Sequence, residues 1–222
     1  MTKLIIFDWD DVFTLGSTRG YCDCYKAGVD SVLPGIEMRA VRKATIELWG
    51  RPSRHVFARI LENRHDLIEK AYERYEECLF SNTFLDNLSF VSQGNEVLQR
   101  LGKKYKLAIA SGIHPELLKE YVMPKFNVPK EIFVQIISAY DLPDHSRGKP
   151  HPDMIQAILA AQDIKPDEAV MVGDAVGDVR MALSAGVRPI VVLTGQLNRQ
   201  GAMRLGVKDI IPSVADLESA LE

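Results

Sequence analysis

Cysteine is scarce. Cys22, Cys24 and Cys78 are the three in 222 residues, an odd set with no pair of Cys-x-x-Cys spacings, so neither a zinc site nor a disulfide framework is indicated and reduced thiols are the expectation. Long hydrophobic runs are missing as well. No apolar stretch approaches the ~20 residues that a membrane helix needs. The amino terminus enters an apolar strand at once, with no small-residue cleavage site behind it, so a cytoplasmic chain without a membrane partner is expected. An excess of one charge is also absent. Lys and Arg number 27 against 30 Asp and Glu, a net charge of −3, and the basic residues are scattered rather than blocked, which points away from nucleic acid. The lack of internal repeats or low-complexity tracts removes solenoid and linker architectures. What is present is ordinary for a globular chain: 46% apolar and 26% charged residues, enough for one large domain or one domain carrying an insert.

Two textures alternate. From Ile36 to Phe80 the pattern is helical. Ile36, Ala40, Val41, Ala44 and Leu48 share a face after the Pro34-Gly35 break. A second helix starts after Pro52-Ser53 and buries Val56, Ile60 and Leu61. A third opens on an Asp66/Glu69 capping box and continues through Leu67, Ile68, Ala71, Tyr72, Tyr75 and Leu79. Three helices without a strand predict an all-α insert. From Asn95 onward, short apolar runs at 107–110, 133–138, 169–172, 189–193 and 209–211 alternate with helical segments that include 152–161, 178–185 and 214–221. Gly186 stands at a helix end and Ser213 is a cap. Such alternation predicts an α/β fold, a Rossmann-like, mostly parallel sheet flanked by helices, joined through right-handed crossovers. Leu4 to Phe7 reads as its first strand, so the helical block is inserted behind it.

Ligands of an open parallel sheet bind beyond the carboxyl ends of the strands. There the sequence places Asp8 and Asp10 after the first strand, Ser111 and Gly112 after the second, Lys149 in the loop following the third, and Asp174 and Asp178 after the fourth. In an extended backbone Asp8 and Asp10 point the same way. Two like charges that close raise one another's pKa unless a cation or a proton shares the site. Taken alone the pair is a polar strand exit. With the other strand ends it becomes a set able to hold a divalent cation and a phosphoryl group.

Asp8-Trp9-Asp10-Asp11-Val12, Ser111-Gly112, Gly148-Lys149-Pro150 and Gly173-Asp174-Ala175-Val176-Gly177-Asp178 together resemble the four motifs of the haloacid dehalogenase-like hydrolases, nearest the phosphoglycolate phosphatase and β-phosphoglucomutase branch. The resemblance implies a catalytic core of residues 1–15 and 86–222 and a helical cap of residues 16–85. It also implies a Mg²⁺-dependent phosphatase acting on a small phosphorylated metabolite. Asp8 is then the nucleophile at phosphorus and Asp10 the acid that protonates the leaving oxygen. Asp8, the Asp10 backbone carbonyl and Asp174 ligate the metal, an all-oxygen set suited to Mg²⁺. Lys149 neutralises charge on Asp8 and the phosphoryl group, Ser111 and the Gly112 amide hold phosphoryl oxygens, and Asp178 orients Lys149 or a metal-bound water.

Read without the family, Ser111 is a helix cap ahead of Pro115, Lys149 a loop lysine and Asp178 the cap of the following helix. His151, between two prolines, is a turn residue, and Trp9 packs into the fold. Asp11 stands where the family has glycine, a position that favours unusual backbone angles which Asp tolerates better than most. The change narrows the accepted substrates on this reading. Arg51, Arg54 and His55 lie in a cationic loop of the insert that is suited to an anionic leaving group, or simply solvated. A phosphosugar mutase shares Asp8, Asp10 and Lys149. A haloacid dehalogenase fits the acids and lysine less well, and a catalytically silent binding module is the reading from another class. Nothing in the sequence specifies the oligomeric state.

Overall fold

The computed structural model describes residues 1–62 and 64–221. They divide into two compact units, Met1–Leu15 with Phe90–Glu222, and Gly16–Ser89. The first unit is built on six parallel strands in the order β5-β4-β1-β6-β7-β8. These are β1 (Leu4–Phe7), β4 (Lys106–Ser111), β5 (Gln135–Ser138), β6 (Ala169–Gly173), β7 (Arg188–Val192) and β8 (Asp209–Ile211). Two short strands, β2 (Thr14–Leu15) and β3 (Ser89–Phe90), pair separately. The expected strands all appear, with ends shifted by a residue or two.

The sheet is buried on both faces, which is why β1 is apolar throughout rather than alternating. Leu4 and Ile6, Ala108 and Ala110, and Ala169 and Met171 share one core. It is covered by Met154, Ile155 and Ile158 of α8 (Asp153–Gln162) and by Met181 and Ala182 of α9 (Val176–Ser184). All four residues of β1 are fully buried, each contributing about 1.5–3 kcal/mol. Helix α9 ends at Gly186, whose φ of +72° supplies the left-handed turn expected there. Ser213 caps the final turn by accepting from the Ala215 amide at 3.1 Å. The remaining helices of this unit are α6 (Gly94–Gly102), α7 (Met123–Lys125, continuing a π-helical stretch Leu117–Val122), α10 (Arg199–Arg204) and α11 (Leu217–Leu221).

Register places the functional edge. Phe7 pairs with Ile109 on one side and Val172 on the other. Thus β1, β4 and β6 run out together, and Asp8, Ser111 and Asp174 follow at one edge. The chain leaves β1 for β4 and β5, then returns across to β6, so β1 lies where the winding direction changes.

The three helices expected between Ile36 and Phe80 are α2 (Met38–Glu47), α3 (Ser53–Ile60) and α4 (His65–Leu79), and the described residues of the helical unit add α1 (Ser17–Val32) before them and α5 (Asn82–Leu85) after them. The unexpected α1 buries Ser17, Gly20, Cys22, Cys24 and Gly28 beside only two large residues, Tyr25 and Val29. The small residues serve close approach. A Cβ at Gly28 would lie 2.5 Å from the Ala71 carbonyl oxygen of α4 and 2.9 Å from the Phe57 ring. Tyr25 stacks on Tyr75 with centroids 4.5 Å apart, and Phe57 meets both edge-on. Two expectations are corrected here. Cys24 and Cys78, with Cα atoms 5.3 Å apart, form a disulfide joining α1 to α4, and Cys22 alone is a free, buried thiol. The spacing of 54 residues hid this pairing, because only the packing of the two helices brings the thiols together. The Asp66/Glu69 capping box is not formed either: Arg64 takes the Asp66 carboxylate at 3.0 and 2.9 Å, and Arg54 takes Glu69 at 2.8 Å through two bonds. Among the described residues no helix is long and apolar enough to cross a membrane.

Candidate active site

Asp8 follows β1 directly, its amide donating to the Val172 carbonyl at 2.9 Å. Its side chain is buried and Oδ1 has two partners: the Ser111 hydroxyl donates at 2.7 Å and Lys149 Nζ approaches to 2.7 Å. Lys149 reaches on to Asp178 Oδ1 at 2.6 Å. The ammonium thus bridges two carboxylates while 7% exposed. Asp178 Oδ2 accepts from the amides of Asp174 and Ala175 at 3.1 and 3.0 Å. It therefore tethers the start of α9 and holds Lys149 at once, so the helix-cap reading and the lysine-orienting reading describe two oxygens of one side chain. Gly173 makes room for this. A Cβ there would overlap the Asp178 carboxylate.

Asp174 is completely buried. Its Oδ2 accepts from the Gln196 amide at 3.0 Å, whereas Oδ1 is buried with no protein partner. An unpaired carboxylate oxygen in the interior costs several kcal/mol unless something supplies positive charge. Carboxylate oxygens of Asp8, Asp174 and Asp178 lie within 4.8 Å of one another. Three acids around one lysine leave excess negative charge. All donors are oxygen, the chemistry of a hard divalent cation. Asp178 has both oxygens engaged, so Asp8 and Asp174 are the carboxylates with capacity for a metal.

Electrostatics follow the geometry. Burial raises the Asp174 carboxyl well above the ordinary range, and the charges of Asp178 and Asp8 add to it. Burial also raises Asp178, opposed by Lys149. For Lys149 burial acts downward, yet attraction by Asp178 and Asp8 outweighs it and leaves the pKa above the ordinary lysine value.

The loop after β1 turns tightly, the amides of Val12, Phe13 and Thr14 all converging on the Trp9 carbonyl at 2.9–3.3 Å. Trp9 is buried against Phe13, Phe90 and Phe133, as its packing role requires. Asp10 is buried, its Oδ1 accepting from the Thr14 hydroxyl at 3.3 Å. Asp11 has φ +56°, the left-handed conformation that glycine would adopt freely. The Thr194 hydroxyl holds its carbonyl at 2.6 Å. A Cβ at Gly112 would meet nothing within 4 Å, so open space lies beside that amide. His151 is a turn residue, its amide donating to the Gly148 carbonyl at 3.0 Å.

Asp8, Ser111, Lys149, Asp174 and Asp178 are therefore brought together, with Asp10, Asp11 and Gly112 on the same loops. Arg51, Arg54 and His55 belong to the helical unit and are exposed. The Arg54 guanidinium is engaged there, paired with Glu69 and lying 3.9 Å over the Tyr72 ring. Thr194, Gly195 and Gln196 escaped the sequence reading. They follow β7, and the strand-end rule that located the other residues would have included them.

A family model described as "Hydrolase: haloacid dehalogenase-like hydrolase" matches residues 2–186. A protein of Caldanaerobacter subterraneus subsp. tengcongensis named "Putative pyrophosphatase PpaX" is 28% identical over 170 residues, 76% of this chain and 67% of that one. A "Phosphoglycolate phosphatase" of Rhodospirillum rubrum is 36% identical over 72 residues, 32% of this chain and 30% of its own. Among solved structures, a "Putative haloacid dehalogenase-like hydrolase" from Bacteroides fragilis superposes with a TM-score of 0.83 at 20% identity, covering 98% of this chain and all of that one. A "predicted phosphoglycolate phosphatase" from Haemophilus somnus gives 0.82 at 17% identity, over 100% and 98%.

Proposed function

Because this chain belongs to the haloacid dehalogenase-like hydrolases, we propose that it is a Mg²⁺-dependent phosphatase that hydrolyses a small phosphorylated metabolite through an aspartyl phosphate on Asp8. One observation carries the reading: the Asp8 carboxylate is held by Ser111 and Lys149 through a single oxygen, beside an Asp174 oxygen that has no protein partner. The names of the pyrophosphatase and phosphoglycolate phosphatase relatives support phosphoryl chemistry.

In this mechanism Asp8 Oδ2 attacks phosphorus while Oδ1 keeps its bond to Lys149. The Ser111 hydroxyl turns from Asp8 to a phosphoryl oxygen, joined by the Gly112 amide, and the Lys149 ammonium offsets charge that moves onto the transferring group. Asp10 gives its proton to the leaving oxygen and, as the leaving group departs, is ready to take a proton from the water that cleaves the acyl phosphate. A bound Mg²⁺, held by Asp8, the Asp10 carbonyl and Asp174, supplies the positive charge that lets two anions meet. Asp178 keeps Lys149 in place. Substrate choice is read as a property of the helical unit, through Arg51 and His55, since Arg54 is already committed to Glu69.

The test is hydrolysis of p-nitrophenyl phosphate and of a panel containing phosphoglycolate, sugar phosphates, nucleotides and pyrophosphate, by wild type and Asp8→Asn, with and without EDTA. Free phosphate released by the wild type only, and only without EDTA, is the expected result. Activity surviving both treatments sinks the mechanism, and transfer to a sugar hydroxyl in place of phosphate release identifies a mutase.

A further inference from the structure

We infer that Thr194-Gly195-Gln196, in the loop after β7, is a positioning strap that aims the Asp174 carboxylate and fixes the turn carrying Asp11. The inference rests on the reading of Asp174 as a metal ligand. Two bonds tie this segment to the site, and the next residue adds a third. The Thr194 hydroxyl donates to the Asp11 carbonyl at 2.6 Å, the Gln196 amide to Asp174 Oδ2 at 3.0 Å, and the Leu197 amide to the Asp174 carbonyl at 2.8 Å. Both ends of the segment are anchored elsewhere. The Leu193 amide donates to the Ile211 carbonyl of β8 at 3.1 Å, and the Leu197 side chain is buried with Val179, Val191, Ala202 and Val207.

The amide that holds Oδ2 therefore cannot follow if the carboxylate rotates. With one oxygen pinned and the backbone carbonyl pinned, Oδ1, the oxygen with no protein partner, keeps a fixed direction. Preorganisation of this kind is what a metal ligand gains from the groups around it. Gly195 is part of the device. A Cβ at this position would overlap the Asp174 carboxylate, its Cγ and Oδ2 included, so any side chain there displaces the carboxylate or the strap. The φ of Gly195 is not in the left-handed region that demands glycine, so space rather than backbone conformation excludes a side chain.

A double-mutant cycle on the full chain tests the contact without metal or turnover. In EDTA, Gly195→Ala lowers the melting temperature of the wild type but has no such effect in an Asp174→Gly background, where the carboxylate and the Cβ that a side chain at 195 would meet are both gone. Equal losses in the two backgrounds overturn the strap. Calorimetric titration of the metal-stripped chain with Mg²⁺ reads the positioning role, and Gly195→Ala weakens binding by about 10- to 100-fold. Unchanged affinity overturns it. Should Gly195→Ala fail to fold, Thr194→Val serves. It lowers kcat by about 10-fold with little change in KM, and Thr194→Ser restores it. A Thr194→Val enzyme with normal kcat, or a Thr194→Ser enzyme as impaired as Thr194→Val, contradicts the inference. A wild type that neither binds Mg²⁺ nor hydrolyses phosphate defeats the functional reading instead, and the melting cycle in EDTA still decides the strap.

Discussion

Replacing Lys149 with Met removes the one cation that, among the described residues, pairs with the Asp8 and Asp178 carboxylates. The ammonium lies 2.7 Å from Asp8 and 2.6 Å from Asp178. At an effective dielectric of about 20, each contact is worth at most about 6 kcal/mol of bare Coulomb energy, and most of that offsets the cost of burying the charges. Breaking such a pair from one side costs about 3–5 kcal/mol. For a chain of this size that becomes a fall of about 6–20 °C in melting temperature, taking about 2–4 °C per kcal/mol. The pH dependence gives the perturbation its signature. Asp174 and Asp178 titrate above the ordinary aspartate range, so the folded state keeps protons that the unfolded chain releases. Stability from such groups is greatest at low pH and falls as pH rises through the raised values. Losing Lys149 raises Asp178 further, because the ammonium holds that carboxyl down. Its own contribution, with a pKa above the lysine norm, is fully present below about pH 10 and is lost only as pH rises through the folded value. Thermal melts in EDTA at about pH 8 and about pH 5 therefore show a large gap between wild type and Lys149→Met that narrows at the lower pH. Equal melting at the higher pH, or a gap that does not narrow, refutes the assignment of Lys149 as the balancing charge.

Reduction of the Cys24–Cys78 bond frees a loop of 54 residues, which corresponds to about 4 kcal/mol of chain entropy in the unfolded state. Melts with and without dithiothreitol are expected to differ by several degrees, Cys24→Ser reproducing the reduced value, and identical curves would show that the thiols are unpaired. At Asp11 the left-handed backbone makes Asp11→Ala cost about 1–2 kcal/mol by denaturant unfolding, while Asp11→Gly is tolerated; Ala as stable as Gly contradicts the backbone argument. Asp11→Gly also broadens the range of phosphate esters hydrolysed, and an unchanged profile removes Asp11 from substrate selection. Asp8→Asn loses about 10⁴-fold or more in kcat while staying folded, a combination checked by activity and circular dichroism on one preparation.

Much of the core was legible because a doubly covered parallel sheet writes its strands as apolar runs, and because parallel strands in register end together. That is why Asp8, Ser111, Lys149 and Asp174 were found from sequence and why they meet. Helix α1 was not legible. Its buried face is mostly Gly, Ser and Cys, suited to close approach to α4, and Tyr25 and Val29 alone make too short a stripe of large residues to count. The Asp66/Glu69 pattern misled for a related reason, since Arg64 and Arg54 take the carboxylates that a capping box would use. Thr194, Gly195 and Gln196 act through a hydroxyl, a missing side chain and a backbone amide. None of these carries a charge that singles out a residue in a sequence. For Asp178 the residue type leaves two readings open, because it cannot show that each oxygen has a separate task.

Phosphorylation of Asp8 during turnover is the step on which every other assigned role depends. A single turnover with p-nitrophenyl phosphate and Mg²⁺, quenched in acid and followed by mass spectrometry of the peptide containing Asp8, tests it directly. The mass of one added phosphoryl group on Asp8 of the wild type, and none in Asp8→Asn, is the predicted result. Phosphate release with no adduct at Asp8, from an enzyme whose Asp8→Asn variant still turns over, would contradict it.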